Sequence, residues 1–312
     1  MDSLIKIGGA PITKLIEVIS NGIGKLYEPA HLILMARAEA KAEHIKYFAE
    51  AKRDALLVKD EGLFNHLSAI ETRLLTKESK RQQNINNVLC HAINVISSEN
   101  EVSSDKVDQD WITRFFDIVQ DISEEDMQQL WGRILAGEVK QPKSFSLRTL
   151  ELLRNMTRYE AELFEKIASY VFYSDRCYLY RGLLNEVFED LKYGAIIHLM
   201  EIGLIQSVSD SGIELEPLKD GNQYPPFIYG DFVYHFSIPE HITKIGIPVY
   251  PLSSMGCEIF KLVRTEPNYE YFNSVIKEII AIYPGLKIYR TKILSNDNHC
   301  LRYNDDDLEE VN

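Results

Sequence analysis

Between residues 121 and 171 the chain alternates helix-starting residues, apolar stripes and breakers so densely that a run of short packed helices is the reading that fits. Met127, Leu130, Trp131, Ile134 and Leu135 recur at steps of three and four, which places them on one helix face. Ser123 with Asp126 makes a capping-box pattern ahead of them, with Asp in the usual place of Glu. Gly137 is the expected C-terminal stop, and Pro142 sets a turn in the loop beyond. Ser146 is expected to cap a second helix carrying Leu147, Leu150, Leu153 and Met156. Thr157 with Glu160 makes another capping box and opens a third helix with Ala161, Phe164, Ile167 and Val171. Caps, breakers and periodicity are independent signals, and their agreement makes this three-helix core the firmest part of the reading.

The flanking segments extend the helical pattern toward the N-terminus. Residues 1–30 are short apolar pieces broken by Gly8-Gly9, Gly22 and Gly24. Pro11 is expected to open a helix over residues 12–20, with Ile12, Leu15, Ile16 and Ile19 on one face. Residues 31–104 read as a long helical hairpin. Its first helix carries Met35, Ala38, Ala42, Ile45, Ala49, Lys52 and Leu56 at alternating steps of three and four, a heptad seam suited to close helix approach or to oligomerisation. Gly62 breaks the hairpin. The second helix carries Leu63, Leu67, Ile70 and Leu74, then Ile85, Val88, Leu89, Ala92, Val95 and Ile96. Between these stripes, residues 77–84 read as a solvated face or a local kink, with Arg73, Lys77, Lys80 and Arg81 at helical spacing as the alternative, a basic contact patch for phosphate or an acidic partner. Residues 99–110 read as a linker, so the helical core is expected over 105–172.

After residue 173 the character changes to α+β. Leu183 to Leu191 suggests one helix and Ile196 to Gly203 another. Leu204-Ile205 and Ile213 to Leu215 are expected to pair as a hairpin about Asp210-Ser211-Gly212, the element order of a winged helix. Phe232 to Phe236, Gly246 to Tyr250 and Leu286 to Leu294 read as strands. Ser254 is expected to cap a short helix with Ile259 and Phe260, and Tyr271 to Ile280 reads as a longer one. The tail 304–312 is acidic and expected to be disordered. The fold expected is therefore mainly α over the first two-thirds, with a smaller, winged-helix-like α+β domain over 173–303.

Chemistry-bearing patterns are sparse. With 34 basic against 47 acidic residues the net charge is −13, a poor setting for non-specific nucleic-acid binding. The four cysteines, Cys90, Cys177, Cys257 and Cys300, form no CxxC pair and no secretory leader precedes them, which fits free thiols in the cytoplasm. No apolar run is long enough to span a bilayer. Gly24-Lys25 is followed by Leu26, so the phosphate-cradling pattern fails. The histidines show no metal-ligand spacing and no GxSxG occurs, so no cofactor, metal or catalytic residue is assigned. Trp131 reads as core by its helical phase. The polar loop with Glu138, Lys140, Gln141 and Lys143 is the preferred partner-contact site, because surface loops carry function.

The text from Leu130 to Phe164 resembles an uncharacterised family of bacterial and phage proteins with a Trp-x-x-(Ile/Leu)-Leu-Ala-x-Glu core and a Ser-Phe-Ser turn. The matching positions are Trp131, Ile134, Leu135, Ala136, Glu138, Pro142, Ser144, Phe145, Ser146, Leu150 and Ala161. Val249 to Phe260, with Ser253, Ser254 and Gly256, also looks family-like. More distantly the central segment is similar to the abortive-infection alpha proteins, departing from them at Gly132 and at Met156-Thr157. That resemblance implies a defence or phage-exclusion setting and supplies no reaction. The function expected is a non-enzymatic bacterial defence factor acting through oligomerisation or a partner protein. The alternatives are a winged-helix DNA-binding regulator and a membrane-active effector using residues 1–30.

Overall fold

The computed structural model describes residues 5–23, 61–99, 101–182, 188, 191–207, 212–215, 225–239, 242, 244–263, 265–297, 300–303 and 308–311. The seam residues Met35, Ala38, Ala42, Ile45, Ala49 and Leu56 lie outside them, as do Gly24-Lys25 and the expected helix start at Leu183, Leu184 and Val187. Two units divide the chain between Arg154 and Asn155. The third helix of the expected 121–171 core therefore belongs to the second unit, and the segment 99–110 lies inside the first rather than between two domains.

The first unit is helical: α1 (Ile5–Ile23), α2 (Glu61–Ile96), α3 (Gln109–Val119), α4 (Glu125–Lys140) and α5 (Leu147–Asn155). Its central packing is α2 against α4. Gly132 makes this possible. A Cβ added there would stand 2.5 Å from His91 Cβ and 3.0 Å from Ala92 N, so the two backbones meet with no side chain between them. Amide side chains line the same seam, those of Asn84 and Gln128 buried. Asn84 Nδ2 donates to Gln120 O at 2.8 Å, Gln128 Nε2 to Ile122 O at 2.8 Å, and Asn87 Nδ2 to Gln128 Oε1 at 3.0 Å. Each pairs a polar group that would otherwise be costly to bury. Beneath them Trp131 is fully buried, with its ring 5.6 Å edge-on from Phe115.

Several local expectations change. Helix α1 begins by Ile5 and runs through Pro11, because docking of Leu15, Val18 and Ile19 into the core outweighs the local cost of proline and glycine. Ser123 does not cap α4. Glu124 is the N-cap, without a side-chain hydrogen bond, and Glu125 and Asp126 favour the positive helix end instead. Gly137 does not stop that helix, which continues to Lys140; a Cβ there would lie 2.9 Å from the Phe145 ring, so the glycine makes room for that ring. Segment 99–110 is tied down, with Ser103 N donating to Lys140 O at 2.9 Å and Asp108 capping α3 through Trp111 N at 2.9 Å. Ser146 does cap α5, accepting from Thr149 N at 3.3 Å.

The second unit carries α6 (Arg158–Ala168), α7 (Tyr193–Glu201), α8 (Ser254–Phe260) and α9 (Tyr269–Ile282) with an antiparallel sheet. Its strands are β1 (Val171–Tyr173), β2 (Cys177–Tyr180), β3 (Gly212–Leu215), β4 (Phe227–Tyr229), β5 (Phe232–Ser237), β6 (Ile245–Pro251), β7 (Lys287–Asp297), β8 (Cys300–Tyr303) and β9 (Glu309–Val311). They order as β3-β6-β2-β1-β4-β5-β7-β8, with β9 also on β7. Ile245, Ile247, Val249 and Pro251 alternate into the core along β6. Helix α9 buries Tyr271, Phe272, Val275, Ile276 and Ile279. Phe272 stacks on Tyr229 at 4.1 Å and lies within 6 Å of Phe172 and Tyr234, at 5.8 and 4.8 Å, so the core is largely aromatic.

The α+β character holds, and the expected hairpin does not. Ile205 bridges Leu252, while Ile213 pairs with Ile247 of β6. The third core helix ends at Ala168, and Val171 enters β1 because β-branched and aromatic residues dominate the Val171–Tyr180 hairpin. Ser253, not Ser254, caps α8, accepting from Gly256 N at 3.0 Å. The acidic tail is paired at Glu309 to Val311, where Arg290 meets Glu309 at 2.8 Å and Lys287 meets Glu310 at 3.3 Å.

The capping box at Thr157 and Glu160 is present in full. Hydrogen bonds from Thr157, and then His198, hold the Glu160 carboxyl below its ordinary value of 4.5. A depressed carboxylate stabilises the fold above that value, and the stabilisation is lost as pH falls through the folded-state pKa. Glu160→Gln is expected to cost the second unit about 1 kcal/mol at pH 7, with the gap to wild type closing in acid. Urea unfolding followed by tyrosine circular dichroism checks this, since fifteen of the chain's seventeen tyrosines lie in the second unit. Gly132→Ala is expected to cost the first unit about 1–3 kcal/mol by overpacking. Tryptophan fluorescence reads that unit alone, since Trp111 and Trp131 are the chain's two tryptophans.

Candidate functional site

Helix α2 is 36 residues long, about 54 Å at 1.5 Å per residue, and among its described side chains, from Thr72 on, the buried ones begin at Asn84. Ile85, Val88, Leu89, Ala92 and Ile96 pack inside. From Thr72 to Glu78 the side chains are exposed, and Leu74 and Leu75 expose 52% and 47% of their surface. Leu74, expected within the hairpin stripe, is therefore uncovered. Two adjacent leucines this open on a regular helix stand out, because large apolar side chains in this protein otherwise mostly reach the core.

The basic patch divides at the point where the bare part of α2 meets the packed part. Arg81 grips Asp121, with Nε at 2.9 Å from Oδ1 and Nη2 at 3.2 Å from Oδ2, and also meets Glu78 at 3.3 Å. This two-pronged pairing raises the guanidinium's pKa. Arg81 is thus a fastener between α2 and the turn before α4. Arg73, Lys77 and Lys80 are exposed beside Leu74 and Leu75 and have no ion pair among the described residues.

The loop from Glu138 to Ser146 differs from its expected role. Glu138 is 1% exposed, with Oε1 accepting from Lys143 N at 2.6 Å and Oε2 from Phe145 N at 3.0 Å. Lys140 meets Glu99 at 2.6 Å. Of the four loop residues proposed for contact, only Gln141 and Lys143 are exposed, and Lys143 adopts a left-handed φ of 72°. The Glu138 carboxylate shapes the turn so that Phe145 can fill the space beside Gly137 and receive Trp111 Nε1 on its carbonyl at 2.8 Å. The Trp-x-x-Ile-Leu-Ala-x-Glu and Ser-Phe-Ser motifs are thus one packing device, read from both sides.

Helix α1 docks on α3 and α4. Pro11, Leu15, Val18 and Ile19 of this helix are buried. Alongside it runs a groove of about 760 Å³ lined in part by Thr13, Lys14, Glu17, Asp105, Lys106 and Gln109. Lys14 Nζ donates to Ser103 O at 2.5 Å. Burial lowers the lysine's pKa, and Asp105, Glu17 and Glu138 act against that. Among the described residues no set of three or more His, Cys, Asp or Glu is placed to hold a metal, and no helix is long and apolar enough to cross a membrane.

A family model described as "Protein of unknown function (DUF2806)" matches residues 69–276. The chain belongs to this family. No curated protein and no solved structure matches it. The DUF2806 match takes in the bare part of α2, the α2–α4 seam, the Glu138 turn and the β6–α8 corner, and leaves α1 and β7 to β9 outside.

At that corner a Cβ on Gly256 would lie 2.2 Å from Leu204 O, and Ser253 Oγ donates to Gly203 O at 2.6 Å. The Ser-Ser-x-Gly motif therefore clamps α8 onto the turn after α7. Gly132 and Leu75 are the informative positions that periodicity did not single out, and Leu74 is a stripe residue that stands exposed. A glycine inside an otherwise strong helix face was the available signal for the first. Glu138→Ala is expected to lower the first unit's stability by about 2–4 kcal/mol, because two buried N–H groups lose a charged acceptor. A urea midpoint by tryptophan fluorescence that stays at the wild-type value would contradict this role.

Proposed function

We propose that this DUF2806 protein is a non-enzymatic assembly factor in bacterial defence against phage, and that its bare α2 segment joins a second copy of the chain. The observation that carries the reading is the exposure of Leu74 and Leu75, at 52% and 47%, on a helix that packs into the core between Asn84 and Ile96. Apolar side chains on an exposed helix gain by packing into a like helix. The alanine heptad at Met35, Ala38, Ala42, Ile45, Ala49 and Leu56 supports the same behaviour from sequence. The similarity to abortive-infection alpha proteins supports the defence setting. The winged-helix, DNA-binding alternative has less support, since β3 pairs with β6 and not with Leu204-Ile205.

Light scattering coupled to size exclusion tests the assembly directly. Wild type is expected to elute at a multiple of 35.9 kDa, and Leu74→Glu with Leu75→Glu at that mass with unchanged circular dichroism. A wild-type monomer at every concentration that also captures no partner would overturn the proposal. The defence setting is read separately, by phage plating efficiency on cells expressing wild type or the double variant. Protection is expected from the first and not the second, and equal plating on both and on empty cells would remove it.

A further inference from the structure

Cys177 opens β2 and Cys257 lies in α8, on elements brought together by β2 pairing with β6. One residue, Leu252, links them. Leu252 N donates to Cys177 O at 2.9 Å, and Leu252 O accepts the Cys257 thiol at 3.9 Å. The Cys177 thiol and its backbone N–H both act as donors to the Cys257 sulfur. Cys177 is 5% exposed and Cys257 is half-buried, so Cys257 is the more accessible of the two residues.

The surroundings favour a thiolate on the outer sulfur. Donation from Cys177 comes first, and Arg176 and Lys261 add positive charge, together bringing the Cys257 thiol down to about 6 against the opposing effect of burial. The same pairing, then burial, pushes Cys177 up. Tyr178 stands close by, with its hydroxyl donated to Asp175 at 2.7 Å. Cys90 differs: it is half-buried and burial alone raises its pKa. A reactive thiol is one that is ionised and reachable, and a second thiol in contact can capture its oxidised form.

We propose that Cys257 is a peroxide-reactive nucleophile and Cys177 its resolving thiol. The Cys257 thiolate attacks one oxygen of a hydroperoxide, ROOH, breaking the O–O bond. This gives Cys257 sulfenic acid and an alkoxide, which takes a proton to leave as ROH. The Cys177 sulfur then attacks the sulfenic sulfur, loses its proton and expels hydroxide, which departs as water. The product is a Cys177–Cys257 disulfide, and the two electrons have gone to the peroxide. Because α8 is clamped to the turn after α7 by Ser253 and Gly256, the new bond ties β2 to that corner. This inference concerns the second unit and does not depend on the assembly reading.

The full-length protein is treated with hydrogen peroxide at a few equivalents, denatured in N-ethylmaleimide, digested and analysed by mass spectrometry. Peptides containing Cys177 and Cys257 are expected as one species two hydrogens lighter than their sum and split by dithiothreitol, while Cys90 and Cys300 are alkylated. Cys257 is expected to be lost from the free-thiol pool at least about ten-fold faster than Cys90, following the difference in thiolate fraction. In Cys177→Ser the Cys257 sulfenic acid is expected to accumulate and be trapped by dimedone. The wild-type result stands whether or not that variant folds. Full alkylation of Cys257 after peroxide, prior oxidation of Cys90 or Cys300, or a disulfide to either of them would overturn the proposal.

Discussion

The backbone contact between α4 at Gly132 and α2 at His91 and Ala92 is the constraint on which the helical unit rests. It brings the two helices close enough for the amides of Asn84, Asn87 and Gln128 to bond across the seam and for Trp131 to sit beneath with no exposed surface. It also fixes where packing along α2 ends. Arg81 fastens the helix to Asp121, and N-terminal to that point the helix continues without cover from Thr72 to Glu78. The same contact that builds the core therefore leaves Leu74 and Leu75 in water. Their exposure costs hydrophobic free energy that an assembly partner would recover.

The second unit reaches stability by a different route. Its sheet is antiparallel throughout the described pairings and is covered by α9, whose Phe272 and Tyr271 enter a cluster of rings rather than an aliphatic layer. The corner between β6 and α8 depends on a glycine with no room for a side chain, held by Ser253. Both units thus use a glycine at a backbone-to-backbone approach, and in each case the surrounding motif is explained by packing. Residues that identify the family need not be residues that act.

Much of the helical unit was legible in sequence because caps and periodicity are local. The stripe from Met127 to Leu135, the Ser146 cap and the Thr157–Glu160 box are in place. The misreadings arise where tertiary packing outweighs local preference. Pro11 and Gly137 read as boundaries and instead lie within helices, since the neighbouring core supplies the compensation. Strand pairing was poorly legible for a related reason: Ile213 has suitable partners in several strands, and only the assembled sheet selects Ile247. Glu138 read as a surface residue because charged residues usually are, and its burial is licensed by two backbone N–H groups that no linear pattern reveals.

The central claim is that one continuous helix serves two ends, its C-terminal part as core and the part around Leu74 and Leu75 as an open surface for a second copy. Native-state hydrogen exchange along α2 measures this directly, amide by amide, over a range of protein concentrations. The account predicts that amides from Ile85 to Ile96 exchange only through unfolding of the unit, at a rate independent of concentration. Those from Thr72 to Lys80 exchange at least about a hundred-fold faster when dilute and slow as concentration rises. Equal and strong protection along the whole helix at every concentration would contradict it.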